Sequence, residues 1–246
     1  MLRRMDARLA GRRDGRGAGD MGRQAGGRHR GVLGLLVALM ALFAAAAAGA
    51  ATADEKGRPL KLVALGDSLT AGYQLPAAAA FPAVLERTLR AKGYDVSIAN
   101  AGVSGDTTTG GLDRLDWSVP EGTDGVILEL GANDMLRGTD PEVPRKALDT
   151  IVSRLKARGI PVLLAGMRAS ANLGPDYVAK FDAIYPTLAE RYGLVLYPFF
   201  LEGVAGEASL ALPDRLHPNA KGVEGIVAGI LPTVEIFLRR LQGAER

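Results

Sequence analysis

The 246-residue chain has only two histidines, His29 and His217, and the second lies three residues after an acid in Asp214-Arg215-Leu216-His217-Pro218-Asn219. Within one turn of chain that spacing lets the Asp214 carboxylate reach the imidazole, fix its tautomer and stabilise the imidazolium. A hydroxyl nucleophile needs a base of this kind. Ser68 is the candidate nucleophile, because an apolar run from Leu60 to Leu65 stops abruptly at Gly66-Asp67-Ser68-Leu69-Thr70. A run of that length, closed by glycine and small polar residues, reads as a buried strand feeding a turn. Taken singly, each feature has a plainer reading: Gly-Asp-Ser turns also cap helices, and surface histidines often have an acid nearby.

The elements that must bring these residues together are legible along the chain. Strands are expected at 60–66, 94–99, 125–130, 160–165 and 194–196, and helices at 76–92, 141–158 and from about Pro175 to Tyr192. A short helix follows the capping run Gly105-Asp106-Thr107-Thr108-Thr109. A closing helix carries the stripe Val223, Ile226, Val227, Ile230, Leu231 and Val234, with a kink expected at Pro232. Strands alternating with helices, and strands that read as continuous apolar runs, indicate a parallel sheet covered on both faces. The expected fold is a single-domain, three-layer α/β/α sandwich with five parallel strands, flavodoxin-like, in the order 2-1-3-4-5.

In a parallel sheet all carboxyl ends lie on one edge, so Ser68, Gly102 and Asn133, each at or just after a strand end, converge there. Acyl transfer needs a nucleophile, a base, an orienting acid and donors for an oxyanion. Ser68, His217 and Asp214 supply the first three. The Ser68 N–H, the Gly102 N–H and the Asn133 side-chain amide are the expected oxyanion donors, the glycine allowing a close backbone approach. Ordinary turn chemistry is the competing reading for Gly102 and Asn133. Asp67 and Asp134 are read as hydrogen-bonding their own turns rather than as catalytic acids, with metal ligation as the alternative. One histidine and no cysteine argue against a metal, and no cofactor is expected.

Residues 1–30 hold nine arginines and many glycines, residues 31–50 are apolar, and Ala51-Thr52-Ala53 precedes Asp54-Glu55. A basic region, an apolar core and an A-x-A exit describe a secretory signal peptide over 1–53, cut after Ala53 or after Ala50. Met21 is an alternative start that gives a signal of more ordinary length, and a retained membrane anchor is the alternative to cleavage. Residues 1–53 carry 9 of the 30 basic and 3 of the 27 acidic residues, which leaves 21 and 24 for residues 54–246, a net charge of −3. The basic balance therefore belongs to the leader and does not argue for nucleic-acid binding. The absence of cysteine excludes disulfides, a thiol nucleophile and a lipidated N-terminal cysteine. A periplasmic or secreted monomer without a stable membrane span after cleavage is expected.

Four blocks, Gly66-Asp67-Ser68-Leu69, Asn100-Ala101-Gly102, Gly131-Ala132-Asn133-Asp134 and Asp214 to Asn219, resemble in order and spacing those of the SGNH (GDSL) hydrolases. From about Lys61 to Arg240 the chain is similar to the periplasmic multifunctional esterases of that superfamily, the acyl-CoA thioesterase I/lysophospholipase/arylesterase group. The similarity includes Ser104-Gly105-Asp106-Thr107, Leu136-Arg137-Gly138 and Pro198-Phe199-Phe200. The resemblance implies the same five functional positions, Ser68, Gly102, Asn133, Asp214 and His217, and a hydrolase for thioesters, aryl esters and lysophospholipids. An acyl pocket is expected from Met135, Leu136, the Met167–Tyr177 loop (Tyr177 included) and the segment 201–212. No dedicated recognition of the CoA phosphates is expected. The rival readings are a carbohydrate O-acetylesterase with the same site and a non-catalytic secreted binding module.

Overall fold

A computed structural model of the chain describes residues 58–243. The signal-peptide reading of residues 1–53 lies outside these residues. The described residues form five strands, β1 (Leu60–Gly66), β2 (Val96–Gly102), β3 (Gly125–Glu129), β4 (Val162–Ala165) and β5 (Val195–Tyr197), all parallel and in the order 2-1-3-4-5. This is the expected α/β fold and strand order. The central strands are buried on both faces, as their unbroken apolar sequences require.

The helices are α1 (Ser68–Ala71), α2 (Phe81–Ala91), α3 (Thr108–Asp113), α4 (Leu115–Ser118), α5 (Ala132–Leu136), α6 (Glu142–Ala157), α7 (Pro175–Asp182), α8 (Ile184–Tyr192) and α9 (Ala220–Leu241). Helix α2 packs with α9 in one layer, and α6 packs with α3 and α8 in the other. The core lies between these layers and the sheet, with Phe81 meeting Phe200 edge to face and Tyr185 and Phe181 fully buried.

Most element ends shift by a residue or two, and three larger differences from the sequence expectation each have a physical reason. The helix expected from Pro76 begins at Phe81, after a 3-10 turn at Ala77–Ala79 and an extended Ala80. Pro82 lacks an N–H and is tolerated only in a first turn, so the helix starts beside it. The helix expected from Pro175 to Tyr192 is two helices, and Pro186 likewise falls in the first turn of the second. Strand β2 runs three residues further than expected, because Asn100, Ala101 and Gly102 pair with Ala64, Leu65 and Gly66. Cross-strand pairing there overrides the poor strand preference of Asn and Gly. Helix α9 runs through Pro232 without interruption, its apolar stripe from Val223 to Leu238 buried. Among the described residues no helix is long and apolar enough to cross a membrane.

Register is what builds the site. Gly66 pairs with Gly102 on one side and Glu129 on the other. The carboxyl ends of β1, β2 and β3 therefore finish level, and the turns that follow them share one edge.

Candidate active site

Ser68 is the first residue of α1, the single helical turn after β1. The Asp67 side chain caps that turn, its Oδ1 accepting the Leu69 N–H at 2.9 Å, and Gly72 closes it in a left-handed conformation (φ 79°). The serine is only 8% exposed, so its hydroxyl is held in one environment rather than solvated freely.

His217 comes from the loop before α9. An isolated antiparallel bridge between Ala211 and Pro218, with Leu212 N–H donating to His217 O at 2.8 Å, pins the loop. Asp214 Oδ1 accepts both the Leu216 and His217 N–H groups at 3.0 Å, and Arg215 between them takes a left-handed φ of 58° to close the turn. Asp214 Oδ2 lies 2.7 Å from His217 Nδ1, and His217 Nε2 lies 2.9 Å from Ser68 Oγ. A carboxylate at Nδ1 places the proton there and leaves Nε2 free to accept the Ser68 O–H. The His217 backbone N–H, then its ring, then the Leu216 N–H hold the Asp214 carboxyl down at about 2, so it stays ionised. The Tyr73 ring lies against the imidazole, with centroids 4.4 Å apart.

Asn133 sits in α5, after β3. Its amide Nδ2 donates to Asp67 Oδ2 at 3.1 Å and to the Asp106 carbonyl at 2.9 Å, tying the turns after β1, β2 and β3 together. Behind them Arg114, 5% exposed, donates to Gly66 O and Ala101 O at 2.8 Å each, to Ser118 Oγ at 2.9 Å and to Asp106 Oδ2 at 2.5 Å. One guanidinium thus holds the ends of β1 and β2 and the loop beyond β2.

Gly102 behaves differently from expectation. Its N–H donates to Asn100 Oδ1 at 3.0 Å, and a Cβ on it would collide with the Ala71 and Asp67 backbones. The packing of α1 on β2 leaves no room for a side chain there. Three residues later Gly105 (φ 86°) has an N–H with no acceptor among the described residues. Its carbonyl is held by Arg137 at 2.9 Å, and its neighbour Asp106 bonds Asn133. The sequence signal for Gly105 is the Ser104-Gly105-Asp106-Thr107 run, which lies beyond the strand end.

Of the two acids read as structural, Asp67 does hold its own turn, and burial pushes its carboxyl up to about 6 against the Leu69 and Asn133 donors. Asp134 holds a different segment from the one expected. Its carboxylate receives the Thr108 N–H at 2.8 Å and the Thr108 hydroxyl at 2.9 Å, anchoring the start of α3, while burial raises its pKa. Among the described residues no group of three or more His, Cys, Asp or Glu is arranged to hold a metal ion.

A cavity of about 500 Å³ opens beside Ser68 and His217, walled by Met135, Leu136, Met167, Phe199, Leu201 and Leu216. Tyr177 does not line it: its hydroxyl donates to Thr139 O at 2.9 Å and its ring stacks on Phe181. Helix α7 turns that ring toward the core. Phe199 and Leu216, by contrast, were not among the expected pocket residues.

Known proteins share this arrangement of sequence and fold. Residues 64–224 match the GDSL-like Lipase/Acylhydrolase family. The chain is similar to an arylesterase of Vibrio mimicus, 43% identical over 160 residues, covering 65% of this chain and 80% of that protein. It is also similar to thioesterase 1/protease 1/lysophospholipase L1 of Escherichia coli K12, 41% identical over 159 residues, covering 64% and 75%. Among solved structures, AlinE4, an SGNH-hydrolase family esterase, is 46% identical with a TM-score of 0.63, covering 74% of this chain and 98% of its own. The chain belongs to the GDSL-like lipase/acylhydrolase family.

Proposed function

We propose that this ester-hydrolysing enzyme works through an acyl-enzyme formed on Ser68. Ser68 Oγ attacks the substrate carbonyl carbon while His217 Nε2 takes the hydroxyl proton, and Asp214 stabilises the imidazolium. The tetrahedral oxyanion is received by the Ser68 N–H, the Gly105 N–H and the Asn133 amide. Of the two Asn133 bonds, the longer one to Asp67 is the one to be shared with the oxyanion. Collapse expels the alcohol or thiol, which leaves with the proton from Nε2. Water, deprotonated by His217, then attacks the acyl-serine, releases the carboxylic acid and restores Ser68.

The observation that carries this reading is the continuous chain from Asp214 Oδ2 through His217 to Ser68 Oγ, at 2.7 and 2.9 Å. The substrate class follows from the cavity. About 500 Å³ of mostly apolar space next to the serine suits an acyl chain rather than an acetyl group, which would leave it largely empty. That argues for acyl esters and thioesters over acetylated carbohydrates. The relatives named as an arylesterase and as a thioesterase and lysophospholipase support aryl esters, thioesters and lysophospholipids as the compounds to try.

The leader composition supports export, with residues 54–246 as the working enzyme in the periplasm or outside the cell. A series of p-nitrophenyl esters from acetyl to palmitoyl, with acetylated sugars alongside, tests the substrate reading. The expected optimum lies at a chain longer than acetyl. An enzyme active only on acetyl sugars would refute it.

A further inference from the structure

Beneath the Ser68 turn lies a second buried acid that the mechanism above does not use. Glu129, the last residue of β3, is 0% exposed. Its Oε2 accepts the Thr70 hydroxyl at 2.7 Å, while Oε1 has no hydrogen-bond partner. Gly66 makes the room: a Cβ there would come within 2.7 Å of Glu129 Oε2 and collide with Thr70. The Thr70 hydroxyl therefore ties the carboxyl to the far end of the nucleophile turn.

The surroundings decide its charge. The titratable groups facing it are Asp67 on the turn above and Tyr185 on α8, with Asp134 of α5 behind Tyr185. Beyond Asp67 lie His217 and Asp106, and Arg114 holds the Gly66 carbonyl. Among the described residues no Lys, Arg or His bonds Glu129 itself. A buried carboxylate with an unpartnered oxygen, no cation and a second carboxyl as neighbour is costly. A neutral acid in the same place is not, and two adjacent buried carboxyls hold one proton between them.

We propose that Glu129 is a positioning residue for hydrolysis, a neutral acid that braces the Ser68–Thr70 turn and whose proton lets Asp67 alone carry the charge beneath the nucleophile. Burial, foremost, and then the Asp67 charge raise its pKa well above the usual carboxylate range, in keeping with that assignment. Losing the proton at high pH would set two carboxylates against each other under Ser68 and disturb the turn. Activity therefore has an alkaline limit set by Glu129. The inference rests on Ser68 being the nucleophile.

The experiment compares wild type, Glu129→Gln and Glu129→Ala by kcat and KM on a p-nitrophenyl ester from acid to alkaline pH. The Ser68 reading is checked separately by fluorophosphonate labelling of Ser68 in the wild type. Glu129→Ala is expected to lower kcat by about tenfold or more with little change in KM, since the acyl cavity is untouched. Glu129→Gln, neutral and of the same shape, should recover most of that loss and extend the active range to higher pH. A Gln variant as impaired as the Ala variant, or one with the wild-type alkaline limb, overturns the proposal. Infrared spectroscopy of the wild type gives a reading that does not depend on any variant folding. A protonated-carboxyl band should persist at about pH 8, where ordinary carboxyls are ionised, and its absence would equally refute the proposal. Failure of Ser68 to label would instead overturn the nucleophile assignment.

Discussion

Asp214 grips His217 at two points, its Oδ2 2.7 Å from the ring Nδ1 and its Oδ1 receiving the backbone N–H at 3.0 Å. The same carboxylate therefore fixes both the tautomer of the imidazole and the turn that aims it at Ser68. The three-residue spacing makes this possible, and the left-handed Arg215 completes it.

Replacing Asp214 by Asn should keep the fold and lose the tautomer, with kcat falling by roughly four orders of magnitude. Because the folded carboxyl sits at about 2, below its ordinary 3.8, its stabilising effect is present above about 4 and lost only as pH falls through about 2. Activity changes near neutral pH consequently do not come from Asp214. A pH–rate profile paired with thermal melts checks both halves: unchanged kcat in the Asn variant would contradict the first, and a stability step near neutrality traced to Asp214 the second.

Asp67 has the opposite sign. Its carboxyl is raised from 3.8 to about 6, so the unfolded chain gives up this proton first as pH rises. The folded state then loses stability between about pH 4 and pH 6, and the loss is complete above that window. Asp67→Asn should flatten this part of the curve of thermal midpoint against pH. An unaltered slope would mean that Asp67 is ionised at no cost.

Arg114 is the keystone behind the site, bonded to Gly66 O, Ala101 O, Ser118 and Asp106. Arg114→Met leaves two carbonyls and a carboxylate without their donor, and a cost of about 3 kcal/mol or more is expected. Chemical denaturation measures it. Activity should also fall in the surviving folded fraction, because the Asp106 carbonyl that holds Asn133 is no longer anchored.

The cavity wall sets chain length. Ala169 lines the 500 Å³ cavity and its N–H is fixed by Asp182 at 2.7 Å, so a larger side chain placed there fills the cavity. Ala169→Phe should lower kcat/KM for long acyl esters by about tenfold while leaving acetyl esters nearly unchanged. Equal losses at all lengths would show that acyl chains lie elsewhere.

Features that depend on near neighbours in sequence were legible before the fold was known. Asp214 and His217 lie within one turn, and the Leu60–Leu65 run followed by Gly66-Asp67-Ser68 announces a strand and its turn. Pro82 and Pro186 mark the first turns of their helices, a signal local to the sequence. Other features depend on pairing across the sheet. Gly102 and Gly105 look equally suited to face a substrate, and only the Asn100 bond and the Ala71 contact remove Gly102. Glu129 reads as one polar residue in an apolar strand, and nothing local shows that it lies beneath Ser68. Tyr177 and Phe199 both come from loops or helices above the sheet edge, and their side-chain directions follow from packing alone.

The central claim is that Ser68, activated by His217, is the nucleophile. Its most direct test is the hydrolysis of a p-nitrophenyl acyl ester by purified residues 54–246 and by the same protein carrying Ser68→Ala. The mechanism predicts measurable turnover in the first and a loss of at least about a thousandfold in the second, with the fold intact by circular dichroism. A folded Ser68→Ala protein that retains the wild-type rate would contradict it.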